Sequence, residues 1–223
     1  MEKDFSICRR EVCEFARKMA AAGWVTGSSG NVSVRAPGEG DCYAITPTGV
    51  DYDELVPENI VICDGEGEAM IEVENAPSFE LPVHVAVYRA RPEVNAIIHT
   101  HAPFSTILSV LRIGLPPIIE EMVPYLGGEI EVAEYGQSGS DQLAESVVRA
   151  LGPKAAVLIA NHGNLLAAKS LEKAFNAASL LERAAMIYLE ALKLQALNRG
   201  IVHQLPDHVI ELEKEMFEMI KTF

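Results

Sequence analysis

Val94-Asn95-Ala96-Ile97-Ile98-His99-Thr100-His101 is the stretch on which the reading of the fold turns. Its apolar run is short and lies between Pro92 and Pro103, which is how a buried strand reads. It ends in His-x-His. Side chains alternate along a strand, so His99 and His101 project to one face. A shared face is what a metal ion asks of two ligands. A second apolar run, Ala156 to Ala160, leads into Asn161-His162-Gly163. Strand ends and the loops that follow them are where α/β proteins place their sites.

Working outward, helical patterns flank these strands. Ile7, Val12, Phe15 and Met19 give a stripe for a helix from Phe5 to Ala22, with Gly23 placed to end it. Asn31–Arg35, Cys42–Thr46 and Ile60–Cys63 read as strands, and so does Ile130–Tyr135. Ser78–Arg89 reads as a helix with Ser78 as N-cap and Pro82 in the first turn, where its missing N–H costs little. Further helices are expected over Pro103–Leu111, over Gln142–Leu151 behind a Ser140 cap, over Leu171–Asn198 and over His208–Lys221. In the long Leu171–Asn198 helix, Glu182, Arg183, Glu190 and Lys193 mark the expected wet side. Helices separating short strands define an α/β class. No repeat, low-complexity tract or Pro/Gly/Ser-rich linker divides residues 1–223, so a single domain is expected.

Composition narrows the partners. The 223 residues carry a formal net charge of −14. Such a chain repels phosphate backbones and anionic lipid, which argues against general nucleic-acid or membrane-surface binding. A small anionic substrate is compatible with a locally positive site. Met1-Glu2-Lys3-Asp4 lacks the basic start of a secretory leader, and no apolar run is long enough to span a bilayer. Cys8, Cys13, Cys42 and Cys63 form no Cys-x-x-Cys pair and suit reduced thiols, so a cytoplasmic location is expected.

His99, His101 and His162 together would offer three imidazoles and leave a coordination position open, a catalytic rather than structural zinc arrangement. Imidazole also suits cobalt, nickel or iron. His84 lies four residues after Glu80, on the same helix face, and is a weaker ligand candidate. His203 and His208 read as structural or surface residues. Glu80 is the candidate carboxylate, although a glutamate at a helix start is commonly just a solvated partner of the helix dipole. Ser28-Ser29-Gly30-Asn31, Thr48-Gly49 and Ser78 offer small side chains and backbone N–H groups of the kind that cradle phosphate. Each is also an ordinary turn when taken alone.

Taken together the motifs say more. Gly27-Ser28-Ser29-Gly30-Asn31-Val32-Ser33-Val34-Arg35, Ile45-Thr46-Pro47-Thr48-Gly49, Ser78-Phe79-Glu80 with His84, His99-Thr100-His101-Ala102 and Asn161-His162-Gly163 occur in that order. In that order the chain resembles the class II aldolase/adducin family, most of all its sugar-phosphate aldolases, from about Gly23 to Arg199. The resemblance implies a mainly antiparallel central sheet covered by helices in three layers. It also implies a homotetramer with active sites at subunit interfaces. It implies zinc on His99, His101 and His162, with Glu80 as acid/base and as an occupant of the metal's fourth position. Gly30, Asn31, Thr48, Gly49, Ser78 and Phe79 match its phosphate-binding segments. The implied reaction is cleavage of an L-fuculose 1-phosphate-like sugar phosphate to dihydroxyacetone phosphate and a small aldehyde such as L-lactaldehyde, through a metal-stabilised enediolate.

The departures from the family pattern define alternatives. Phe79 stands where the aldolases usually have a second phosphate-binding serine. Pro117-Ile118-Ile119-Glu120-Glu121-Met122 has no tyrosine where a neighbouring subunit commonly supplies the proton donor, and the C-terminal tail lacks its tyrosine too. Tyr125, Glu120 and Glu121 are the substitute donors. An acidic residue in this region also resembles the related pentulose-phosphate 4-epimerases, and decarboxylases and dehydratases of the family share the same metal site. A non-catalytic adducin-like scaffold has no reason to keep three histidines together with Glu80.

Overall fold

The computed structural model describes residues 5–36, 41–70 and 74–222. Met1–Asp4, read above for a leader, lies outside them. The strands are β1 (Asn31–Arg35), β2 (Cys42–Ile45), β3 (Val61–Asp64), β4 (Ala96–Thr100), β5 (Val132–Ala133), β6 (Ala156–Ile159) and β7 (Gly163–Ala168). They form one sheet in the order β3-β2-β1-β4-β7-β6-β5. All neighbours pair antiparallel except β5 and β6, which are parallel. The opening stretch of the sequence thus becomes the middle strand, and Asn31 and Leu165 flank His99 in register from either side.

The helices are α1 (Ser6–Ala21), α2 (Leu81–Ala90), α3 (Pro103–Leu111), α4 (Met122–Leu126), α5 (Asp141–Leu151), α6 (Leu171–Ala196) and α7 (Asp207–Thr222). They make the outer two of three layers. Val32, Val34, Ala96, Ile98, Leu158 and Leu166 face α1, α3 and α6. The alternate residues Tyr43, Ile45, Ile97, Val157, Leu165 and Ala167 face α2 and α5. Cover on both faces explains why β2, β4 and β6 are buried along their whole length. His99 belongs to the α2/α5 face of β4, as do Asn31 and Ser33 in β1. No helix among the described residues is long and apolar enough to cross a membrane, and all four cysteines are buried thiols outside any disulfide.

Two observed elements were not expected, and two expected ones need correction. Gly163–Ala168 is a strand, although glycine and alanine are poor strand formers; two antiparallel neighbours hold it in place. Met122–Leu126 is a short helix that its Pro124 disguises. The strand expected over Ile130–Tyr135 keeps only Val132–Ala133, because Ile130 bridges to Leu115 instead. Helix α2 starts three residues later than Ser78. Residues 76–78 first run beside 46–48, with Ser78 N–H donating to the Thr46 carbonyl at 3.0 Å. The chain then turns, and Glu80 takes the N-cap position with no side-chain cap of its own. Ser140 does cap α5, accepting from the Leu143 N–H at 3.2 Å.

Glu182 is not on the wet side of α6. Its carboxylate accepts from the Phe104 N–H at 2.7 Å, the Ser105 N–H at 2.9 Å and the Ser105 hydroxyl at 2.8 Å. Helix α3 begins with Pro103 and has no side-chain cap within its own chain segment. A carboxylate from α6 therefore satisfies the orphan donors of its first turn. At the other end of this region, β7 starts hard against β4. A Cβ at Gly163 would lie 2.2 Å from the Thr100 carbonyl oxygen and 3.0 Å from the His101 ring. Only hydrogen fits there.

Two measurements check these constraints. Glu182→Ala should lower stability in urea unfolding by about 1–3 kcal/mol, the cost of orphaned buried donors. Glu190→Ala, which loses only an exposed pair to Lys193, should change it by less than about 1 kcal/mol. Gly163→Ala should cost at least about 1–3 kcal/mol, because backbone and not a flexible side chain must move. A Gly163→Ala midpoint equal to that of the wild type would show that the β4–β7 contact is soft.

Candidate active site

The site is assembled from three ends of chain. Strand β4 delivers His99 and, just past its last residue, His101. The turn between β6 and β7 delivers His162. The turn before α2 delivers Glu80. Asn161 makes the β6–β7 turn with φ +55°, a left-handed conformation that asparagine tolerates better than most residues. His162 N–H then donates to the Ile159 carbonyl at 3.0 Å. Gly30, φ +72°, closes the site from below. A Cβ on it would stand 2.7 Å from the His99 carbonyl oxygen.

The four side chains converge. His99 Nε2 lies 3.0 Å from His101 Nε2 and 3.0 Å from Glu80 Oε2, and His162 Nε2 lies 3.4 Å from Glu80 Oε1. One ligand nitrogen from each histidine falls within 4.8 Å of the other two. Ligands about 2.0–2.1 Å from one tetrahedral ion stand about 3.3–3.4 Å apart. The observed separations are close to those edges, so the residues fit a divalent metal. Glu80 and His99 are buried, and His101 and His162 are partly so.

The electrostatics of the three imidazoles differ. Burial disfavours a charged His99, yet Glu80 and the Asn164 carbonyl outweigh it and raise its pKa. Burial, joined by the charge on His99, lowers His162 and holds His101 down at about 3. Burial also works to raise Glu80, but His99, His162 and Asn31 overcome it and keep the carboxyl well below the ordinary range. An ionised carboxylate and neutral imidazoles are the forms in which these groups ligate a metal ion. His99 Nδ1 faces the Asn164 carbonyl at 2.7 Å. A carbonyl only accepts, so Nδ1 carries a hydrogen and Nε2 is the atom turned to the cluster.

Asn164 and Ser138, which the sequence does not single out, support this centre, and so does Glu182, expected on the wet side of its helix. The Asn164 side chain is pinned by Thr100 and Ser105, with Nδ2 2.8 Å from each hydroxyl oxygen, and Ser105 is in turn held by Glu182. Ser138 donates its hydroxyl to Glu80 Oε1 at 2.9 Å. The one available signal was Asn164 itself, a polar residue in the middle of Gly163–Ala168. Ser138 and Glu182 carry none, since both come from distant segments.

The remaining candidates divide. His84 is not at the cluster's ligand positions. It is fully buried, and its two ring nitrogens face Asn31 Oδ1 at 2.5 Å and Ser33 Oγ at 2.6 Å. His203 and His208 are exposed. Asn31 turns its Nδ2 to Glu80 Oε2 at 2.9 Å, so both ends of its amide are engaged within the chain. The three small-residue segments are knitted together: Thr46 and Val32 exchange hydrogen bonds, Ser78 N–H reaches the Thr46 carbonyl, Thr48 N–H reaches the Ala76 carbonyl, and Tyr52 ties the loop by donating to the Gly30 carbonyl. Ser78 Oγ accepts from the Glu80 N–H at 3.3 Å. Thr48 and Gly49 are exposed, and Phe79 is 76% exposed beside them in sequence with Glu80. Glu121 and Tyr125 are not brought to the histidines. They line a cavity with Ala167 and Ala168, at the end of β7 that lies about 17 Å along the strand from Gly163. Glu121 is ion-paired with Arg183, and Glu120 and Tyr125 are exposed.

Known proteins share this architecture and its sequence. A 5-deoxy-D-ribulose 1-phosphate aldolase of Bacillus thuringiensis serovar kurstaki is 33% identical over 210 residues, 94% of this chain and 95% of its own. The L-fuculose phosphate aldolase of Escherichia coli K12 is 36% identical over 185 residues, 83% of this chain and 84% of its own. A solved L-fuculose 1-phosphate aldolase superposes with a TM-score of 0.87 at 35% identity, covering 97% of this chain and 98% of that one. Residues 10–189, which hold every element of the histidine cluster, match the class II aldolase and adducin N-terminal domain, and the chain belongs to that family.

Proposed function

We propose that this protein is a zinc-dependent aldolase that cleaves a ketose 1-phosphate into dihydroxyacetone phosphate and a short aldehyde. The observation that carries the proposal is the convergence of three imidazole nitrogens and one buried carboxylate at spacings that suit a single tetrahedral ion. His99, His101 and His162 would hold the metal, and Glu80 would share its fourth position. Three histidines with one exchangeable position favour zinc. A divalent metal there would supply Lewis-acid polarisation of the substrate's carbonyl oxygen.

The chain's own residues account for the rest of the chemistry. Breaking the C3–C4 bond requires loss of the C4 hydroxyl proton, and the electron pair left at C3 must later take up a proton. Glu80 is read as the group that exchanges the proton at C3. It sits at the mouth of the cluster, with Asn31 and Ser138 able to keep it when it swings from the histidines. The phosphate is read onto Gly30, Asn31, Thr48, Gly49 and Ser78, with the exposed Phe79 contributing backbone rather than a hydroxyl. Grip on a remote phosphate provides orientation for the reacting carbons. Glu120, Glu121 and Tyr125 are the candidates for the proton at C4. Their distance from the histidines along β7 means that they could serve only the site of a second copy, which supports a homo-oligomer with shared sites.

The relatives' substrates share the ketose 1-phosphate end and differ at the aldehyde end. L-fuculose 1-phosphate would give L-lactaldehyde, and a 5-deoxypentulose 1-phosphate would give a two-carbon aldehyde. Both are the compounds to test. As purified, the protein should carry about one zinc per chain. Chelation should abolish dihydroxyacetone phosphate release, and His99→Ala should lose both metal and activity. Glu80→Gln should keep metal on the three histidines and lose about 10²–10⁴-fold in turnover. Zinc without cleavage of either compound would turn the reaction to pentulose-phosphate epimerisation on the same site. No zinc binding, even after zinc is added back, would overturn the proposal.

A further inference from the structure

A buried row of side chains leads away from Glu80, and its hydrogens have one consistent arrangement. The Asn31 amide nitrogen lies 2.9 Å from Glu80 Oε2 and donates to it. Asn31 Oδ1 then faces His84 Nε2 at 2.5 Å, and an amide oxygen can only accept. His84 Nε2 must therefore carry a hydrogen. His84 is fully buried, and burial with the nearby charge on His99 keeps it neutral, with a pKa of about 3. Its Nδ1 is bare and accepts from the Ser33 hydroxyl at 2.6 Å. Having spent its hydrogen, Ser33 Oγ accepts from the Tyr88 hydroxyl at 2.8 Å. Burial raises the Tyr88 phenol, so it stays a donor. The Tyr88 ring is stacked flat on Tyr43 at 4.7 Å between centroids, and its carbonyl is held by Arg35.

Every donor in the row thus points toward Glu80. The row spans two elements: Asn31 and Ser33 come from β1, and His84 and Tyr88 come from successive turns of α2. We infer that His84 is a positioning residue that fixes the Asn31 amide so that its N–H, and not its oxygen, meets Glu80, with Ser33 and Tyr88 setting the His84 tautomer. A flipped amide would put an oxygen against the carboxylate and leave the His84 N–H without an acceptor, so the buried row resists it. The consequence is a fixed resting place for Glu80 on the protein side of the site, opposite the histidines. As a role in turnover, this rests on the reading of Glu80 as proton carrier. As a statement about hydrogens, it stands apart from that reading.

The test has two arms. Two-bond proton–nitrogen correlation spectra of the ¹⁵N-labelled full chain at neutral pH report which ring nitrogen of His84 bears hydrogen. The expected result is the neutral Nε2–H form. The Nδ1–H form, or a charged ring, overturns the inference and requires no variant to fold. The Asn31 side-chain amide should be protected from exchange, should lose protection in His84→Phe, and should regain it in His84→Gln, whose amide can still donate. In turnover, His84→Phe should lower kcat about 10–100-fold with KM unchanged, and His84→Gln should recover part of the loss. Asn31→Ala combined with His84→Phe should be no slower than Asn31→Ala alone, because His84 acts through Asn31. Additive losses would mean that His84 matters only to packing. If the wild type cleaves neither ketose phosphate, the proposed function fails, while the His84 tautomer and the Asn31 amide signals still decide the inference.

Discussion

The contact between Glu80 and His99 is the constraint around which the remaining structure is arranged. A carboxylate and an imidazole, both buried, face each other at 3.0 Å in the middle of a sheet covered by helices. Burying either alone is costly, and each is tolerable because the other is there. Bringing them together requires the order β1-β4-β7 at the sheet centre. Asn31 must lie beside His99 on one side, and the Asn164 backbone must lie beside Thr100 on the other. It also requires the chain before α2 to delay its helix, so that Glu80 faces the sheet at an N-cap position and is not drawn into the first helical turn.

Two hydrogen-bonded rows, one on each face of the sheet, hold that contact. On the α2/α5 face, Asn31 and the residues behind it engage Glu80. On the α3/α6 face, Glu182 holds Ser105 and Ser105 holds the Asn164 side chain, while the Asn164 backbone carbonyl turns the His99 ring. The two rows meet at a single pair of atoms. Polar rows of this kind have little tolerance for partial occupancy, because an unpaired buried group costs more than a paired one contributes. The same economy of space governs the backbone: Gly30 and Gly163 allow β1 and β7 to approach the carbonyls of His99 and Thr100 more closely than any side chain would permit.

The exposed flank of the site is built differently. Thr46–Gly49, Ser78 and the Gly30 turn are joined by backbone hydrogen bonds, so three pieces of chain far apart in sequence act as one rim. Thr48 and Gly49 are the exposed members of that rim, while Thr46 and Ser78 are buried. Glu121 and Tyr125 sit away from this rim, at the opposite end of β7.

His99, His101, His162 and Glu80 were legible in the sequence because alternation along a strand is local geometry, and because the motif order carried a family resemblance. The burial of β4 and β6 and the cap of α5 were legible for the same local reason, since a buried run and a serine before a helix act over a few residues. Strand β7 was not, because Gly-Asn-Leu-Leu-Ala-Ala becomes a strand only between two partners. Nor were Ser138, Asn164 and Glu182, whose roles depend on partners 58 to 78 positions away. His84 shows the division most plainly. Its spacing suggested one helix face shared with Glu80 and hence a ligand, but Glu80 stands at the N-cap just before α2. Only the packing of α2 on β1 turned its ring toward Asn31 and Ser33, because a buried imidazole takes whichever hydrogen-bond partners the opposing strand supplies.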